Sequence, residues 1–125
     1  MTPTLTPFHG GVHPPEHKQQ SSEAPIRAAG LPPLLRLSLA QSMGAPARPC
    51  VSVGQRVLKG QRLADADGAM SVAVHAPTSG VVRAIGPLPL AHPSGLNGPG
   101  IELEPDGDER WIELTPLDWR HADPA

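Results

Sequence analysis

Apolar residues recur at every second position in short bursts along the middle of this chain. Leu35, Leu37 and Leu39 alternate with Arg36 and Ser38, the period of a half-buried strand. Val51, Val53 and Val57 flank a turn at Gly54, and Lys59-Gly60-Gln61 makes a second turn before Leu63. Val72, Val74 and Ala76 alternate up to Pro77; Thr78-Ser79-Gly80 then turns the chain, with positive φ expected at the glycine, and residues 81–85 continue it. Ile101-Glu102-Leu103-Glu104 precedes the turn Pro105-Asp106-Gly107-Asp108 and the return Trp111-Ile112-Glu113-Leu114, which predicts a closing hairpin with both glutamates facing solvent. About eight short strands separated by tight turns predict an all-β sandwich or barrel over residues 34–115.

The ends break this pattern. Residues 1–33 carry the pairs Gly10-Gly11 and Pro14-Pro15, which interrupt helix and ladder alike. They predict an ordered but irregular arm, flexible near 19–23. Residues 116–125 lack periodicity and read as a tail, in which Trp119 either docks or marks the start of a following domain.

Composition narrows the core and the partners. The only aromatic residues are Phe8, Trp111 and Trp119, so the core must be aliphatic. Proline (17) and glycine (13) are abundant, approaching low-complexity levels, but they punctuate apolar alternations and so mark turns instead of disorder. The net charge of −2, without a basic patch or aromatic platforms, argues against nucleic-acid binding. The single cysteine, Cys50, can form neither an internal disulfide nor an iron–sulfur cluster; in Pro49-Cys50-Val51-Ser52-Val53 it reads as a small buried hydrophobe. No apolar run reaches the length that spans a bilayer and no signal peptide is visible. The chain therefore reads as cytosolic, with any membrane attachment made through a partner.

Two segments carry a resemblance. Residues 51–63 (VSVGQRVLKGQRL) followed by 76–82 (APTSGVV) resemble the biotinyl/lipoyl-like barrel-sandwich hybrid fold, whose first loop requires Gly54 and Gly60 at turns with positive φ. Residues 8–18 (FHGGVHPPEHK), 44–49 (GAPARP), 74–80 (VHAPTSG), 92–96 (HPSGL) and 106–111 (DGDERW) occur in that order. Together they resemble the N-terminal domain of the C subunit of the Rnf electron-transport complex, related to the Rsx complex that keeps a redox sensor reduced. The resemblance covers roughly residues 8–114. It departs at Leu37-Ser38-Leu39-Ala40-Gln41-Ser42, where the family commonly has Ile-Pro-Leu-x-Gln-His.

The resemblance implies a structural and docking module of a membrane-associated, ion-translocating oxidoreductase that moves electrons between ferredoxin and NAD. Its partners would be the other subunits of such a complex or the flavoprotein region of its own subunit. It would lie at the cytoplasmic face of the inner membrane. FMN, NAD and 4Fe-4S clusters belong to family regions that continue past this segment, so none is expected here, and no catalytic residue is assigned. The chain is either a fragment or a short relative keeping only this module. Candidate docking and motif residues are Phe8, Gly10, Gly11, His13, Pro14, Pro15, Glu16 and Lys18 in the arm, His75, Pro77 and Gly80 at the central turn, and His92, Pro93 and Gly95 beyond it.

Other chemistries are disfavoured by the residues themselves. A biotin or lipoate carrier needs a lysine at the hairpin tip. The only lysines are Lys18 and Lys59; the acceptor position falls on Ser71 if anchored on Ala69-Met70, and on Ala69 if counted back from Ala76-Pro77. A free-standing lipoyl-like ligand-binding or carrier domain lacking its acceptor lysine is the alternative function. His9, His13 and His17 have the spacing of a zinc face on a helix, but the intervening glycine and proline pairs forbid that helix, and no metal is expected. Ser79 and Ser94 sit in Ser-Gly turns and have no evident elbow or aspartate partner. The rigid His13-Pro14-Pro15-Glu16 element either presents a docking face or seals an open end of the barrel.

Overall fold

The computed structural model describes residues 10–11, 14–91, 93–118 and 120. Within them lie seven strands: β1 (Leu35–Ser38), β2 (Arg48–Pro49), β3 (Arg56–Val57), β4 (Arg62–Asp65), β5 (Val74–His75), β6 (Gly80–Pro89) and β7 (Asn97–Pro105). They form a four-stranded sheet in the order β1-β7-β6-β3 and a three-stranded sheet in the order β2-β4-β5, with every strand pair antiparallel. The buried side chains of Leu39, Ala47, Val57, Leu63, Ala64, Val74, Ala76, Val82, Ile101 and Leu103 come from both sheets and make one cluster. That cluster is wholly aliphatic, as the scarcity of aromatics requires.

Local sequence explains the turns. Gly54 and Gly60 have φ of 85° and 81°, as the loop resemblance demands. Gly80 does not: its φ is not positive, and glycine is required there for space. A Cβ would fall on the Glu104 carbonyl oxygen and 2.9 Å from its carbon, because Gly80 opens β6 directly opposite Pro105.

The long hairpin of β6 and β7 extends well past the alternations that predict it. Pro87 and Pro99 lie opposite one another. Neither has an N–H to give, which suits a non-hydrogen-bonded pair of an antiparallel ladder. The register shifts between Val82 and Ala84, so Arg83 is a bulge residue and both Val82 and Ile85 reach the core.

Two further expectations are corrected. The 111–114 segment does not return on β7, since β1 and β6 already occupy both of its edges. Trp111 instead bridges Lys59 in parallel. Cys50 is exposed; it follows β2, an edge strand of the smaller sheet. Within the stretch read as flexible, Gln19–Ser22 form one helical turn, α1, with no buried residue; the backbone restrictions of the Pro and Gly pairs end before it.

Candidate functional site

The carrier-like hairpin joins β4 and β5. Its register, Arg62 opposite His75 and Ala64 opposite Val74, centres the tip on residues 68–70. Gly68 has φ +84°, and its carbonyl accepts from the Ser71 N–H at 3.3 Å. Of the two candidate acceptor positions, Ala69 is the one at the tip, where it is exposed. Ser71 sits lower on the returning arm, with its Oγ buried and unpartnered. Neither residue offers an amine.

The tip is backed by the 41–46 loop. Gly44 N–H donates to Met70 O at 2.9 Å, and a Cβ on Gly44 would come within 2.6 Å of that oxygen, so glycine alone lets the loop lie this close. On and beside the tip, Met43, Met70 and Val72 are 94%, 61% and 51% exposed. An apolar surface thus stands where carriers hold their prosthetic group.

The other predicted residues are spread out. His75 is exposed on β5, an edge of the smaller sheet. Pro77 is exposed and Gly80 buried. Pro93 and Gly95 are exposed in the loop that closes the distal end of the β6–β7 hairpin. That loop borders an open cleft of about 540 Å³, lined also by Arg36, Ser38, Leu90 and Leu96. In the arm, Gly10, Gly11, Pro14, Pro15, Glu16 and Lys18 are exposed, like every described residue up to 33, so no described residue of the arm is buried against the barrel. Lys18 pairs with Glu16 at 2.8 Å. Phe8, His13 and His92 lie outside the described residues, as does Trp119. Glu102 and Glu104 are paired across the sheet with Arg36 and Arg83, the Glu102 side chain half-buried instead of facing open solvent as expected; the more open Arg83–Glu104 pair is of the kind that adds little stability.

The sequence reading missed one polar knot. Ser79 is fully buried; its Oγ donates to Asp106 Oδ1 at 2.6 Å and accepts the Arg110 N–H at 2.9 Å. Asp106 also accepts the Asp108 N–H at 3.0 Å and Arg110 Nη2 at 3.1 Å. The hydroxyl is committed in both directions and buried, which suits a structural tie and not a nucleophile. The Asp-Gly-Asp turn was the available signal, since an aspartate there accepts from the backbone two residues on.

Asp106 is held at about 2, below its ordinary 3.8, first by the Ser79 hydroxyl, then by the Asp108 N–H, with Arg110 adding its charge. A carboxylate whose folded pKa is depressed stabilises the fold fully above its unfolded pKa and loses that stability as pH falls through the folded value. The contribution is therefore expected to be constant from about pH 7 to 5 and to fade between about 4 and 2. Thermal melts across this range check it: Asp106→Asn should flatten that part of the acid limb, whereas superimposable limbs would show that the carboxylate is not held.

Among the described residues no group of three His, Cys, Asp or Glu side chains could hold a metal ion. No helix among them is long and apolar enough to cross a membrane.

The two-sheet fold, the paired glycine turns and a hairpin tip without lysine define a barrel-sandwich hybrid of the biotinyl/lipoyl-like class whose tip offers no acceptor amine. The chain belongs to a particular family of that class: residues 6–108 match the RnfC barrel sandwich hybrid domain. It is 51% identical over 121 residues to the C subunit of the ion-translocating oxidoreductase complex of Pseudomonas aeruginosa, covering 96% of this chain and 16% of that protein. The proteins of the same name from Klebsiella pneumoniae and Yersinia enterocolitica are 51% identical over 106 and 109 residues, or 85% and 87% of this chain. The chain spans 14% and 16% of their lengths.

Proposed function

We propose that this chain is a structural and docking module of an ion-translocating oxidoreductase complex and performs no redox chemistry itself. The observation that carries this reading is the hairpin tip. Ala69 occupies the acceptor position, a loop ties the tip down through Gly44, and Met43, Met70 and Val72 present an apolar surface there. Clustered exposed apolar side chains on a small domain mark a contact surface. The partners are the other subunits of the complex or the flavoprotein region of its own subunit, at the cytoplasmic face of the membrane. Electron transfer between ferredoxin and NAD, with its FMN and 4Fe-4S clusters, belongs to those partners. On this reading the barrel, the irregular arm before it and the tail after it act as a support that holds the redox region in place. The free-standing carrier alternative lacks the amine it needs at Ala69. The test is whether the purified chain binds membranes that carry the other subunits or the remainder of the C subunit and fails to bind membranes that lack them.

A further inference from the structure

The chain beyond β7 is fastened at successive points outside the strand pairing of the two sheets. Asp106 N–H donates to Ser79 O at 3.1 Å, and the buried Ser79 hydroxyl ties the Asp106 carboxylate to the Arg110 N–H. The chain then runs along the 59–60 turn: Lys59 N–H donates to Arg110 O at 2.8 Å, and Ile112 N–H donates to Lys59 O at 3.0 Å. The Trp111 ring covers Gly60, where a Cβ would meet Cε3 and Cζ3 at 3.2 Å. Lys59 Nζ lies 5.0 Å from the Trp111 ring centroid and 2.9 Å from Glu109 Oε1, a cation held over an aromatic face. Glu109 turns the corner with φ of 49°, a left-handed conformation that a non-glycine residue adopts at a cost and keeps only when its surroundings enforce it.

β7 is paired on both sides by β1 and β6, so these bonds add no strand to either sheet. Their common effect is to direct residues 110–112. We propose that Ser79 and Asp106 are positioning residues of a latch that holds the 110–112 segment on the Lys59-Gly60 turn and so fixes the direction in which the chain leaves the barrel. Leu114 and Leu117, 60% and 75% exposed, follow directly, and their placement relative to the barrel depends on the latch. This goes beyond the docking reading and does not depend on which surface docks.

Amide exchange by NMR on the intact chain tests it, in a Trp119→Phe background where Trp111 is the sole tryptophan. In Ser79→Ala, exchange at Lys59, Arg110 and Ile112 should rise about tenfold or more, while Leu39 and Ala47, bonded elsewhere in the barrel, stay unchanged. Trp111 emission should move to the red as its covered face meets water. Asp106→Asn keeps the shape but not the charge and should show the same selective pattern more weakly, which preserves the test if Ser79→Ala fails to fold. Unchanged exchange at the three latch amides in the folded variants overturns the proposal. An equal rise at Leu39 and Ala47 also overturns it, since Ser79 and Asp106 would then support the barrel as a whole.

Discussion

Gly80→Val should lose about 3 kcal/mol or more, at the upper end of overpacking costs, and fold poorly if at all. Gly80 lies between two neighbours, opposite Val57 of β3 and Pro105 of β7. A Cβ there meets the Glu104 carbonyl and, at 3.0 Å, the Pro105 Cα. Both are backbone, so no rotamer change relieves the clash; β6 would have to move away from β7. A small domain has only about 5–15 kcal/mol of stability to lose. Because φ at Gly80 is not left-handed, the penalty comes from the Cβ itself. Gly80→Ala should therefore be nearly as damaging as Gly80→Val. Urea melts of the two variants check this, and an alanine variant with unaltered stability would show that the strands do not approach so closely.

Leu103→Ala should cost about 2–5 kcal/mol, the range for emptying a fully buried leucine site. Leu103 has no exposed surface. It sits on β7 opposite Leu35 of β1 on one side and Val82 of β6 on the other. No aromatic ring lies in this cluster, so no large neighbour is available to collapse into the space. The urea midpoint should fall with the m-value unchanged. Leu114→Ala, at a 60% exposed position, is the control and should change stability by less than about 0.5 kcal/mol. A Leu103 variant as stable as that control would mean that the core lies elsewhere.

These two sites show how much the sequence could disclose. Leu35, Leu37, Ile101 and Leu103 alternate cleanly, so β1 and the inner part of β7 are legible from period alone. The distal half of the β6–β7 hairpin is hidden, because Gly86, Pro87 and Pro99 are strand breakers in isolation and become tolerable only when the prolines face each other. The bulge at Arg83 also disguises which residues face inward. The Trp111 return read as a hairpin because sequence does not reveal that both edges of β7 are taken. Gly80 was legible as an essential glycine but for a different reason: a long-range approach to Glu104 replaces local φ. The missing lysine was plain in the sequence. Whether Ala69 or Ser71 stood in its place needed the β4–β5 register, and the tie from Gly44 to Met70 joins loops too far apart for any local signal.

The docking claim is tested most directly by equilibrium binding of the purified chain to membranes that contain the other subunits of such a complex but lack its C subunit. Saturable binding to those membranes, absent from membranes without the complex and weakened when Met43 and Met70 are both changed to Asp, is the expected result. Equal binding to both membranes, or none to either even when the remainder of the C subunit is supplied, would contradict it.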